Sequence, residues 1–376
     1  MLNISEIHQI KLNMNCVNAI GSIDQFKGKW DLRGDFDPEL LNRFYMDTKI
    51  EAIQAGLKMA GIEVQPENVS SYIVDERTNA TPLTQLAPST SSSESTLAQT
   101  DQFIWGYARA WNCSQDLFLE KVLEESHILK LHELMYGVSS KDRWHAGKYK
   151  ISSNNILASK GVSSGVRPIL ETSSITDTPV RMSELIYWLD QERKTQRSHP
   201  LVRVLVFVLL FLEIHPFQDG NERLAKVLLR LLLIQEGYSF INYAPFETIL
   251  ETKGFEFYES WTKSHRSINL NQLDLDPWLD FMLSAIKALP EHLLEKIDIK
   301  TGNLFDTPST AIKIMEIARM RHRFRIGDVI SLTQGNRSTL KFHLRKLVES
   351  GKLKRQGQGA GIYYEWSIQP EQPASL

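Results

Sequence analysis

Ile214-His215-Pro216-Phe217-Gln218-Asp219-Gly220-Asn221-Glu222-Arg223-Leu224-Ala225-Lys226 is the stretch on which the reading of this chain turns. It joins two very apolar segments, Leu201–Ile214 and Arg223–Gln235, whose apolar spacing predicts buried helices that Pro200 starts and Gly237 stops. A polar loop between two buried helices costs free energy unless its groups are satisfied or used. Gly220 and Asn221 allow unusual backbone angles just ahead of a helix N-terminus. Backbone N–H groups there converge on one spot, an arrangement that suits phosphate oxygens. Arg223 adds a planar donor fork for phosphate. Asp219 supplies oxygen for a hard cation such as Mg²⁺, and His215 can take a proton from a hydroxyl near neutral pH. A lone histidine on an apolar face is ordinarily a satisfied core residue, and a Gly-Asn turn is ordinarily a cap. The two together with Phe217, Asp219 and Arg223 at fixed spacing are much rarer.

Outward from the loop, the chain reads as mostly helical. Its 376 residues, 42% hydrophobic, suffice for more than one domain, and a formal net charge of −2 argues against a chain-wide nucleic-acid binder. Two distant cysteines, Cys16 and Cys113, form no disulfide framework and are too few for a structural zinc. With no unbroken apolar leader and an apolar maximum shorter than the ~20 residues of a spanning helix, the expectation is a soluble, cytoplasmic protein.

Residues 1–45 show little periodicity. Helical spacing predicts helices over Leu40–Met59, Phe103–Trp111, Leu117–Tyr136, Pro179–Arg193, 247–264 and 276–296. Residues 76–100, rich in Ser and Thr, read as a mobile loop, and Lys150–Leu157 with Val166–Thr172 as a short hairpin.

The loop resembles the Fic (Fido) family, whose motif reads His-Pro-Phe-x-Asp/Glu-Gly-Asn-Gly-Arg-x-x-Arg. The segments Arg143–Tyr149, Glu171-Thr172 and Asp177-Thr178-Pro179 resemble other parts of that family, so that the likeness spans roughly residues 22–290. It implies a mainly α domain, residues 46–296, with a small β-hairpin flap. It also implies AMP transfer from ATP to a Ser, Thr or Tyr hydroxyl of a protein. By position, His215 would be the general base and Asp219 would hold Mg²⁺. Gly220 and Asn221 would form the anion hole, Arg223 would grip phosphate and Phe217 would pack the loop. Tyr258 would lie near the adenine, whereas His265 stands where some members carry Asn. The flap, with Val166, Ile169, Glu171 and Thr172, would pair with a target peptide. Self-modification and homodimerisation are further expectations of the resemblance.

The chain departs from the motif at two loop positions: Glu222 replaces a Gly and Lys226 replaces the second Arg. A carboxylate in a phosphate cradle repels ATP, and Lys keeps the charge of Arg without its fork. Four apart at a helix start, Glu222 and Lys226 are spaced to neutralise each other. Many Fic proteins restrain themselves through Ser/Thr-x-x-x-Glu-Gly on an upstream helix. Glu51–Gly61 resembles it, with Gly56 for the Ser, Ala60 for the Glu, and Gly61 retained. Two readings follow: an adenylyltransferase whose restraint is lost or moved to Glu222, or a non-catalytic regulator that senses a nucleotide or partner.

After a linker at 297–308, residues 309–368 read as three helices and a two-stranded wing, and 369–376 as a disordered tail. This module resembles a winged helix. Arg337, Lys341 and Arg345 share one face of its third helix, which makes DNA a candidate partner; protein docking is the competing use.

Overall fold

A computed structural model describes residues 4, 7, 10–31, 38–78, 99–118, 122–139, 141–157, 169–270, 272–301, 313–315, 317–318, 321, 323–333, 337–349, 351–357 and 359–366. Most of the 76–100 segment, Val166 and the 369–376 tail lie outside these residues. The chain divides into two compact units, the second comprising Arg33–Asp35 and Glu291–Leu376.

The first unit is helical: α1 (Met14–Asp31), α2 (Pro38–Met59), α3 (Pro66–Thr78), α4 (Gln99–Leu117), α5 (Glu125–Tyr136), α6 (Thr178–Thr195), α7 (Pro200–Ile214), α8 (Asn221–Gln235), α9 (Phe246–Thr252) and α10 (Gly254–Asn269). Helix α11 (Asp276–Thr301) runs on past the division at Pro290 into the stretch expected as linker. The core is built on α7. Every residue from Leu201 to Ile214 is buried, because α6, α8 and α10 pack around it. Each large apolar side chain so buried contributes roughly 1.5–3 kcal/mol. The one charge in its first half, Arg203, is satisfied by Glu236 and by the Ser198 carbonyl.

Four expectations are corrected. Residues 1–45 hold a full helix, α1, whose weak amphipathic pattern hides an inward face of Cys16, Ile20, Ile23, Phe26 and Trp30. The helix expected over Leu117–Tyr136 starts only at Glu125, where Glu124 and His127 form a reciprocal cap, and Leu117 is instead the last residue of α4. The 247–264 helix is likewise broken at Lys253, between α9 and α10. Among the described residues the hairpin is shorter than expected: β1 (Ile156–Leu157) pairs antiparallel with β2 (Ile169–Leu170), and 150–155 and 171–172 are not strand.

In the second unit, helical residues at 313–315 and 317–318 precede α12 (Ile326–Thr333) and α13 (Arg337–Glu349). A hairpin follows, β3 (Leu353–Gln356) antiparallel to β4 (Tyr363–Trp366). Ile314, Phe324, Val329, Leu340, Leu344 and Tyr364 are part of a separate core, and Phe324 exchanges both backbone hydrogen bonds with Tyr364. Among the described residues no helix is long and apolar enough to cross a membrane.

Candidate functional site

The Ile214–Lys226 loop borders a cavity of about 340 Å³. His215, Asp219, Gly220, Asn221, Glu222, Arg223, Lys226 and Tyr258 line it, with Gly56 and Ala60 from the end of α2. Thus the loop, the far residue Tyr258 and the altered upstream helix meet at one place. Gly61 does not line the cavity; it takes a positive φ of 79° in the turn beyond α2. Met59, Ile62 and Phe103 complete the wall, and sequence reading singled out none of the three.

The loop is held from behind. His215 ends α7 in a left-handed conformation, φ 51°, its N–H bonded to the Phe211 carbonyl. Its Nδ1 lies 3.2 Å from the Leu212 carbonyl. A carbonyl only accepts, so Nδ1 carries the proton and Nε2 keeps its lone pair. Burial above all, then the nearby Lys150 and His265, lowers the imidazole to a pKa of about 4. His215 is therefore neutral at neutral pH and able to accept a proton.

Phe217 is fully buried and stacks on His132 with ring centroids 3.9 Å apart. It packs the loop and does not line the cavity. Asn221 spends its side chain the same way: Oδ1 accepts from the Phe217 N–H at 2.9 Å and Nδ2 donates to the Phe217 carbonyl at 2.8 Å. What Asn221 offers the cavity is backbone at the N-terminus of α8, where first-turn N–H groups lack intrahelical partners.

His132 is a residue that sequence reading missed. Its Nδ1 accepts from the Gly147 N–H and its Nε2 donates to the Asp219 carbonyl at 3.0 Å. Burial lowers it too, to about 4. Its only sequence signal was a polar residue on the inward face of α5, one turn before Tyr136.

Gly220 has a φ of 81°, and a Cβ there would lie 2.4 Å from the Tyr136 ring. Gly220→Ala is thus expected to cost about 1–2 kcal/mol for the backbone alone and to displace Tyr136. A thermal melt together with nucleotide titration checks this: a variant matching wild type in both contradicts it.

Arg223 is nearly buried, its guanidinium carbon 5.2 Å from the Phe103 ring centre and 5.1 Å from that of Tyr136, with Nη2 3.3 Å from Asp219 Oδ2. Two aromatic faces and a carboxylate hold the fork in place before any ligand arrives. Asp219 is the exposed member of that pair at 60%. Its Oδ1 accepts from the Gly220 N–H.

Glu222 and Lys226 do not form the ion pair that their spacing predicts. Glu222 Oε2 instead accepts from the Tyr258 hydroxyl at 2.7 Å. Lys226 is buried and, among the described residues, makes no hydrogen bond or ion pair. Burial pushes its ammonium pKa down, opposed by the charges of Glu222 and Glu247. Burial and the Glu222 charge push the Tyr258 phenol up, so it stays a donor.

Gly56 is explained by its neighbour: a Cβ would sit 2.6 Å from the ring of buried Tyr107. Any side chain there would have to displace that ring. Ala60 is exposed at the end of the same helix and carries no charge to the cavity.

On the flap side, Ile169 lies in β2 and the Glu171 carbonyl accepts from His265 Nε2 at 2.8 Å. His265 is therefore engaged with the flap and does not line the cavity. Thr172 accepts from Lys150 Nζ, which also donates to Asn154 and to the Ile214 carbonyl. Lys150 thereby ties the flap to the end of α7.

Residues 122–233 match the Fic/DOC family. The chain is 24% identical over 198 residues to protein adenylyltransferase fic-1 of Caenorhabditis briggsae, covering 53% of this chain and 34% of that protein. It is 31% identical over 90 residues to a Fido domain-containing protein of Dictyostelium discoideum, covering 24% of this chain and 61% of that one. The chain therefore spans about a third of the first relative and about three-fifths of the second. In fold it is similar to a crystal structure of a Fic family protein from Desulfovibrio desulfuricans G20, with a TM-score of 0.58 at 17% identity, over 96% of this chain and 99% of that one.

Proposed function

The chain carries a Fic-family domain over residues 122–233, and on that premise we propose that it transfers AMP from ATP to a hydroxyl of a protein side chain. The observation that supports this most is His215, neutral, with Nδ1 satisfied by Leu212 and Nε2 available, on the wall of a cavity that also holds Arg223 and the first turn of α8. In the proposed reaction the target oxygen attacks the α-phosphorus and the bond to pyrophosphate breaks. His215 Nε2 takes the hydroxyl proton, and AMP remains on the target. Arg223 and the α8 N–H groups offset negative charge on the phosphates. The exposed Asp219 carboxylate offers oxygen donors of the kind Mg²⁺ takes, and bound there the ion would neutralise phosphate charge.

The test is intact-mass analysis after incubation with ATP and Mg²⁺, alone and with cell lysate carrying α-labelled ATP. The expected result is one AMP added to this chain or label added to a lysate protein, with neither in His215→Ala. Equal labelling by His215→Ala, or no labelling of any protein by wild type, sinks the proposal.

A second reading concerns residues 309–368, which we propose act as a winged helix that binds DNA. On α13, Leu340, Leu344 and Leu347 are buried while Arg337, Lys341 and Arg345 are exposed, and Lys354 and Arg355 are exposed on β3. Arg345 is 3.6 Å from Glu349, an exposed pair of little strength. Arg337→Ala and Lys341→Ala are each expected to flatten the log–log salt dependence of binding to a labelled duplex by about 0.9. Fluorescence anisotropy measures this; absence of binding at roughly 50 mM salt counts against a DNA role.

A further inference from the structure

We infer that Glu222, tethered by Tyr258, occupies the anion cradle as the chain's own negative charge and so sets nucleotide preference away from long phosphate chains. This rests on the nucleotide reading of the cavity and adds a specificity-determining pair to it.

Three observations carry it. First, Glu222 lies in the first turn of α8 and lines the cavity beside Arg223 and Lys226. A carboxylate is stabilised at a helix N-terminus for the same reason that a phosphate is. It is thus an internal competitor for the position that a phosphate would take. Second, the side chain forms no ion pair with the lysine one helical turn along α8; the Tyr258 hydroxyl, on α10, donates to it at 2.7 Å. A neutral donor orients the carboxylate without cancelling its charge. Third, Lys226 is a single cationic point in place of a two-pronged fork, and its burial disfavours the charged form. Less positive charge faces the phosphates than a cradle with a second arginine would offer.

Ala60 contributes no charge to the cavity, and the two carboxylates that line it are Asp219, paired with Arg223, and Glu222, which sits in the first turn of α8 with no cation as partner among the described residues. Each phosphate beyond the first brings further negative charge toward Glu222. Repulsion between charges a few ångströms apart in a partly desolvated cleft is worth about tenfold or more in affinity. Wild type is therefore expected to bind AMP at least as tightly as ATP.

The experiment is calorimetric titration of the full chain with AMP, ADP and ATP in the presence of Mg²⁺, for wild type, Glu222→Gln and Tyr258→Phe. Glu222→Gln keeps the shape and the hydrogen bond while removing the charge. It is expected to raise the ATP/AMP affinity ratio about tenfold or more. Tyr258→Phe frees the carboxylate to reach Lys226 and is expected to raise the ratio by a smaller factor. Wild type that prefers ATP over AMP by more than tenfold, or an unchanged ratio in Glu222→Gln, overturns the inference. If no variant binds any nucleotide, the nucleotide reading falls and the inference with it. The expected ratios without AMP transfer in any sample would leave the inference standing and remove only the transfer reaction.

Discussion

His215→Ala is expected to lower AMP transfer by about 10²–10⁴-fold while nucleotide affinity stays near wild type. In the proposed reaction the imidazole removes a proton, whereas Arg223 and the α8 N-terminus, on the same cavity wall, bind the nucleotide. Single-turnover labelling beside nucleotide titration separates the two, and a loss confined to affinity would refute the role of base. The pH dependence follows from the direction of the shift. Burial lowers the His215 pKa to about 4, so the base remains unprotonated through the neutral range, and the rate is expected to fall as pH drops through about 4. A fall centred near the ordinary 6.5 of histidine would show the imidazole to be solvated.

Stability shares this origin. His132 and His215 are both lowered to about 4 when folded. Below 6.5 the unfolded chain binds their protons and the folded chain does not. The stability that these neutral imidazoles allow is present above about 6.5 and lost as pH falls toward 4. Circular dichroism over the same range distinguishes protonation of the base from unfolding.

Glu213→Ala is expected to destabilise the fold by about 3–5 kcal/mol. Glu213 is 1% exposed in α7. Its Oε1 accepts from Arg181 Nη1 at 2.9 Å, and its Oε2 lies 2.8 Å from Arg181 Nη2, on α6. Arg181 also donates to Ser173 at 2.7 Å. Truncation would remove the Glu213 charge from a buried guanidinium. Each kcal/mol lowers the melting temperature by roughly 2 °C or more, so a melt within about 2 °C of wild type would contradict the prediction. Replacing both partners together by Arg181→Met and Glu213→Leu is expected to recover most of the loss, since paired burial of charge brings little net stability. Glu213 stands two residues before His215, so the same variant would report whether this pair also holds the base.

The features legible in the sequence are those with short-range causes. The apolar run of Leu201–Ile214, the turn at Gly220 and the restart of helix before Leu224 follow from helical period and from backbone freedom, which neighbouring residues express directly. The Fic resemblance rests on the same contiguous stretch. The breaks near 118–124 and at Lys253 were less legible, because apolar residues continue across both and periodicity alone does not mark the interruption.

Tertiary structure decided the partners. From spacing alone Glu222 and Lys226 are a natural pair, yet a tyrosine 36 residues away takes the carboxylate. Arg223 reads as a phosphate ligand, but only the packing of α4 and α5 shows Phe103 and Tyr136 holding its fork. Gly56 reads as a lost serine, and only the packing of the Tyr107 ring shows that a side chain there would have to displace it. Helical spacing fixes which residues of one segment share a face; which distant side chain meets that face depends on how separate helices pack, and local sequence carries no record of it.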